Sequence, residues 1–157
     1  MKTRKNIETL IIAILIPIAV GSISSLFTKN VPATYNQLTK PDFSPPSYIF
    51  PIVWLILYIL MGISSYLIYI STSQYRTVAL RIYAIQLFFN FFWSIIFFGL
   101  QMYLLAFIWL WVLIMLIILM ILVFYQVRPL AAFLQIPYLI WCLLAAYLNF
   151  SIYMLNK

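Results

Sequence analysis

The chain has 157 residues, 67% of them hydrophobic and only 7% charged, and a mean hydropathy of +1.12; this excludes an ordinary soluble domain, which needs far more polar surface. It has no histidine, one cysteine and two acids, Glu8 and Asp42, which excludes most zinc sites, catalytic groupings that need histidine, and any disulfide within the chain. The net charge of +7 comes from nine basic residues spread over termini and loops, so it points to membrane orientation rather than to nucleic acid.

The first predicted span covers about 7–27, roughly 31 Å at the helical rise, or one hydrocarbon thickness. Its basic start resembles a signal peptide, but the apolar run is too long and no small-residue cleavage site follows, so it reads as a retained helix. Pro17 should bend it, and Gly21 with Ser25 forms a small-xxx-small pair that favours close internal packing over a dimer face. Residues 28–44 form the one long polar connection, with Lys29, Asn30, Tyr35, Asn36, Gln37, Lys40 and Asp42. A connection of this length reads as a lid, with a plain surface strap as the alternative.

The second span is predicted over about 45–70, with Ser44 as N-cap and Pro45 and Pro46 in the first turn, where amides lack partners anyway. Pro51 then falls about two turns inside and should kink the helix. Trp54 and Tyr58 share one face at i and i+4. The third span, about 77–99, carries Gln86 and Asn90 with the same spacing. After a tight turn the fourth covers about 103–125, where the near neighbours Trp109 and Trp111 read as packing or lipid-facing residues. The fifth covers about 130–155, with Pro137 bending it and Cys142 as a small packing residue. No strand pattern and no repeat competes. The expected architecture is an all-α integral membrane protein: one domain, a bundle of five transmembrane helices, and a lid loop between the first and second.

Six of the nine basic residues fall on the side of the N-terminus (Lys2, Arg4, Lys5, Arg76, Arg81, Arg128) and three on the other (Lys29, Lys40, Lys157). This predicts the N-terminus inside, with the lid loop and C-terminus outside. Trp54 and Asn90 each lie about 14 Å below the outer ends of their spans, and Ala145 lies at a similar depth. Tyr138, Trp141, Ala145, Leu148 and Asn149 share one face of the fifth helix. Three helices should therefore bring aromatic and amide groups together beneath the loop, as a pocket for a flat apolar ligand. The competing reading is that Asn90 and Asn149 only bond helix to helix, and that the aromatics anchor at the interface.

The segments Y-N-Q-L-T-K-P-D-F-S-P-P (Tyr35 to Pro46), F-P-I-V-W-L-I-L-Y (Phe50 to Tyr58), Q-L-F-F-N-F-F-W-S-I-I-F-F-G (Gln86 to Gly99) and P-Y-L-I-W-C-L-L-A-A-Y-L-N (Pro137 to Asn149) resemble the TspO/MBR family, also called the translocator or tryptophan-rich sensory protein family. The resemblance covers nearly the whole chain. It implies five transmembrane helices, homodimers, and a pocket for porphyrins, sterol-like lipids and synthetic ligands. Carried over residue by residue, it implies a ligand site of Trp54, Tyr58, Asn90, Trp93, Trp141, Ala145, Leu148 and Asn149, under a lid of Tyr35, Lys40, Phe43, Pro45 and Pro46. Some members are reported to degrade protoporphyrin in light, which would give Trp54 and Trp141 the role of electron donors. Phe43 stands where the family usually has tryptophan, and Trp109 where many members have an acid. Leu148, Tyr153 and Lys157 fit a sterol-recognition consensus.

Together these readings rank a porphyrin-binding sensor or carrier first. A light-dependent porphyrin-degrading enzyme comes second, because no conventional catalytic grouping is present. A transporter proper comes third, because no paired repeat is visible. No metal and no cofactor is expected, the partners being the ligand, the bilayer and a second copy. The expected location is the plasma membrane of a bacterium.

Overall fold

The computed structural model of the chain describes residues 2–28 and 31–156. Lys29, Asn30 and Lys157, which enter the loop and charge readings, lie outside the described residues. The described elements are α1 (Lys2–Leu26), α2 (Val31–Gln37), α3 (Ile49–Tyr69), α4 (Arg76–Ser94, running on into a π-helical turn Ile95–Gly99), α5 (Tyr103–Val127), α6 (Pro129–Phe133) and α7 (Ile136–Leu155). Five segments are long and apolar enough to cross a membrane: Asn6–Leu26, Ile49–Tyr69, Arg76–Gly99, Tyr103–Val127 and Pro129–Leu155. The protein is an all-helical integral membrane protein.

The core forms around α5. Its buried residues Ala106, Leu110, Leu113, Ile117, Met120 and Phe124 recur at alternating steps of four and three. That spacing gives one continuous seam, on which α4 and α7 pack. α1 lies on the outside of α3 and touches α4 more lightly. Its other faces are apolar and exposed, as suits a helix against lipid.

The α1–α3 contact rests on Gly62, which the sequence reading passed over. A Cβ there would stand 2.8 Å from the Ala13 carbonyl oxygen and run into the Ile14 backbone, so hydrogen at this position is what lets the two helices meet. Gly21, by contrast, takes a side chain: the Tyr58 ring of α3 fills the place a Cβ would occupy. Toward the C-terminal end of α1, Ser24 Oγ donates to the Phe91 carbonyl at 2.7 Å and ties α1 to α4.

The proline-rich entry to α3 differs from expectation. The helix begins at Ile49, not at residue 45. Ser44 does not cap it: both its amide and its hydroxyl donate to the Pro41 carbonyl, at 3.1 and 2.7 Å, closing a turn in the loop. Pro51 is therefore the third residue of the helix, where its missing N–H deprives no carbonyl, and the expected kink has no cause. Pro17 sits inside an uninterrupted α1. The last span is interrupted at residues 134–135, just before Pro137, which opens α7. Gln135 N turns back to Ala132 O, freeing the Ala131 carbonyl, which accepts from Ser64 Oγ of α3 at 2.6 Å. Ser64→Ala would leave that buried carbonyl unpaired. It should lower stability by about 1 kcal/mol, and Ser65→Ala by less, since Ser65 Oγ donates to Gly62 O on its own helix. Thermal unfolding in detergent compares them.

The loop between α1 and α3 is pinned at two places. Tyr35 is buried, donates to the Pro45 carbonyl at 3.2 Å and meets the Phe50 ring edge-on at 5.0 Å. Thr39 and Asn156 exchange two hydrogen bonds of 3.0 and 2.9 Å, fastening the loop to the end of α7.

Candidate functional site

On α3, Trp54 and Tyr58 stack with ring centroids 5.4 Å apart and planes 29° from parallel, the consequence of their one-turn spacing. They form one wall of a cavity of about 470 Å³ that α1 and α4 complete. Ligand cavities commonly enclose roughly 300–1,000 Å³. Phe50, Trp93 and Phe98 extend the aromatic side. The opposite side belongs to α1 and the residues just after it: Ser22, Ser25 and Thr28 supply hydroxyl groups, and Gly21 admits the Tyr58 ring. The Ser25 hydroxyl is already held by the Ser22 carbonyl, and the Thr28 hydroxyl, just past the helix, by the Ser25 carbonyl. The described lining thus has one flat apolar face and one short polar one, and carries no charge.

The expected pocket between α3, α4 and α7 is placed differently. Trp54, Tyr58 and Trp93 line the cavity; Trp141, Ala145, Leu148, Asn149 and Asn90 do not. Ala145, Leu148 and Asn149 border a separate crevice of only about 10 Å³ beneath Tyr35. That is about the room one water needs. Phe50, Trp93 and Phe98 line both spaces and form the partition between them. Trp141 stands behind Phe50, edge to face at 5.7 Å.

The α7 side is closed because its polar groups are already engaged. Asn149 accepts from the Trp93 indole at 3.3 Å and donates to the Tyr103 carbonyl at 2.7 Å. Tyr138 projects between α3 and α4, buried, within 6.1 Å of Trp54. Tyr58 Oη donates to Asn90 Oδ1 at 3.1 Å, Asn90 Nδ2 to Tyr138 Oη at 3.0 Å, and Tyr138 Oη to Gln86 Oε1 at 3.0 Å. Asn90 is therefore linked to the cavity through Tyr58.

Among the lid residues, Tyr35 covers the crevice, and burial pushes its phenol above the ordinary value, with Ser44 partly offsetting the push. It stays a proton donor. Lys40 Nζ sits 4.5 Å over the Tyr35 ring, holding the loop rather than facing the cavity. Phe43 is 88% exposed and forms no wall. Pro45 takes the Tyr35 hydrogen bond and Pro46 starts the turn into α3, accepting from Ile49 N. Trp109 packs against α4, stacked on Phe89 at 4.4 Å and donating to the Phe89 carbonyl at 2.8 Å.

Sequence reasoning passed over the α1 wall, Phe50 and Phe98. The run Gly21-Ser22-Ile23-Ser24-Ser25 carried the available signal: four small residues within an apolar span leave volume as well as allowing close approach.

Comparison with known proteins follows the same segments. A model of the TspO/MBR family matches residues 13–155. The chain is 40% identical over 157 residues to a tryptophan-rich protein TspO of Chlorobaculum tepidum, covering 97% of this chain and 98% of that one. It is 38% identical over 152 residues to a tryptophan-rich protein TspO of Archaeoglobus fulgidus, covering 96% and 99%. It is 36% identical over 126 residues to the translocator protein of Sus scrofa, covering 78% and 75%.

Proposed function

The chain belongs to the TspO/MBR family, and on that footing we propose that it is a membrane receptor, a sensor or carrier, that takes a flat and largely apolar molecule of the porphyrin class into the cavity between α1, α3 and α4. The observation that carries this reading is the stacked Trp54–Tyr58 pair on the wall of a 470 Å³ space with no described charge in its lining. A planar ring system slides along such a wall with both its faces covered, while the α1 hydroxyls meet polar edges. Burial of the ring supplies the affinity and the few polar contacts orient it.

Protoporphyrin titration of the detergent-solubilised protein, followed by quenching of tryptophan fluorescence, tests this. The expected result is saturable quenching, with affinity reduced about three- to tenfold by Trp54→Phe, in line with an aromatic contact worth about 0.5–1.5 kcal/mol. Trp141→Phe, behind Phe50, should leave affinity close to that of the parent. Non-saturable quenching, or equal effects of the two substitutions, would sink the assignment. Running the titration in the dark and under illumination separates binding from photochemical loss of the porphyrin.

A further inference from the structure

The hydrogen-bonded string that begins at the cavity wall has a property that its members impose. Tyr58, Asn90, Tyr138 and Gln86 each carry both a donor and an acceptor. Tyr58 lines the cavity; Asn90, Tyr138 and Gln86 are buried behind it. A phenol proton rotates freely, and an amide turned end for end exchanges its oxygen and nitrogen with almost no change in heavy-atom position. The string therefore makes its three bonds in either of two directions.

In the inward direction Tyr58 donates to Asn90, Asn90 to Tyr138 and Tyr138 to Gln86. Tyr58 then offers the cavity only lone pairs, and the buried Gln86 Nε2 is left without a hydrogen-bond partner. In the outward direction Gln86 donates to Tyr138, Tyr138 to Asn90 and Asn90 to Tyr58. Tyr58 then offers the cavity its O–H, and Gln86 is left with an unpaired carbonyl. The first direction wastes no hydroxyl proton; the second gives the Gln86 amide nitrogen a partner for one of its two N–H groups. Neither end of the string locks its sense. Polarisation along the string favours a common sense for all its bonds over a mixture.

We propose that Tyr58 is the contact through which the cavity reads the hydrogen-bonding character of its occupant, and that the Tyr58–Asn90–Tyr138–Gln86 string carries that character to Gln86. The proposal rests on the cavity being the ligand site. The occupant it describes is a flat aromatic molecule that presents one polar ring atom to Tyr58. A ligand N–H or O–H selects the inward direction, and a ligand ring nitrogen or carbonyl oxygen selects the outward one. Asn90, Tyr138 and Gln86 are positioning residues that touch no ligand.

Protein labelled with 15N in tryptophan and glutamine side chains tests the proposal in detergent micelles. The probes are indole, whose ring N–H donates, and quinoline, whose ring nitrogen accepts. The Trp54 indole signal, assigned with Trp54→Phe, reports occupancy; the Gln86 amide signals, assigned with Gln86→Leu, report direction. Both probes should move Trp54 saturably. With quinoline bound, the Gln86 amide protons should lie downfield of their positions with indole bound, because only the outward direction sets them donating to Tyr138. Tyr58→Phe should abolish this difference at Gln86 and weaken quinoline about fivefold, the loss of one hydrogen bond. Asn90→Leu should abolish the difference while quinoline still reaches Trp54. If both probes saturate Trp54 but the Gln86 protons lie at the same positions with either, or differ equally in Tyr58→Phe, the string does not transmit. If neither probe moves Trp54, the cavity assignment falls and this proposal with it.

Discussion

Gly62→Ala is expected to destabilise the bundle by about 2–3 kcal/mol, near the upper end of what overpacking by a single methyl costs. The added Cβ would meet backbone on the opposing helix, the Ala13 carbonyl and the Ile14 Cα, and no side chain can step aside to admit it. α1 would have to back away from α3, along the contact that holds it to the rest of the protein. In lipid no hydrophobic driving force compensates, because the tails are as apolar as the helix they would cover. Gly99→Ala is the control: its Cβ would lie 3.3 Å from the Phe27 carbonyl oxygen, a tightness that a few tenths of an ångström relieve. Thermal unfolding in detergent should place Gly62→Ala well below the parent and Gly99→Ala close to it. Equal melting of all three would mean that the crossing is looser than described.

The spans were legible because a bilayer imposes a length and a composition that few other constraints disturb. Their ends were less so where prolines gather. Pro41, Pro45, Pro46 and Pro51 each lack an N–H, so several starts for α3 leave equally few amides unsatisfied. Ser44 looked like a cap because it precedes two of them, but the carbonyl it prefers is Pro41, three residues back. The π-helical turn at Ile95–Gly99 had no local signal. There Leu100 N reaches back to Ile95 O, and Gln101 follows with a φ of 54°. That left-handed residue completes the turn into α5, which the sequence marked only as tight.

The site was legible in part, and the part that was missed is instructive. Depth along each helix, counted at the helical rise, put Trp54, Asn90 and Ala145 at one level; Tyr58 came from the face it shares with Trp54, and Trp93 from the family resemblance. The structure stacks Trp54 on Tyr58, bonds Tyr58 to Asn90, and sets Trp54, Tyr58 and Trp93 around one cavity. Depth does not say which gaps between helices stay open. On α7, Tyr138 and Asn149 are engaged with α4 and with Tyr103, and their bonds close the space that a face-by-face reading left for a ligand. On α1 the opposite happens: Ser22 and Ser25 contribute little volume beside the cavity, and the place Gly21 leaves is taken by the Tyr58 ring that walls it. A search for chemistry-bearing side chains overlooks residues whose contribution is what they leave out.

Gly21→Ala follows from that point and should affect binding most. Its Cβ would overlap the Tyr58 ring and lie 2.6 Å from its hydroxyl oxygen. Here the obstacle is the far end of a side chain and not backbone, so the fold can adjust by turning the ring, at a cost of about 1 kcal/mol or less. The turned ring no longer stacks on Trp54, loses its bond to Asn90 and projects into the space a ligand would use. Losing a stacking surface and a polar contact together should weaken protoporphyrin at least about tenfold, with a melting temperature near that of the parent. Tyr58→Leu provides the second arm, since it removes the ring that the new methyl displaces. In that background Gly21→Ala should change affinity little, giving strong non-additivity between two residues in direct contact. Additive losses, or parental affinity in Gly21→Ala alone, would show that the Gly21–Tyr58 contact does not form the wall on which the ligand rests.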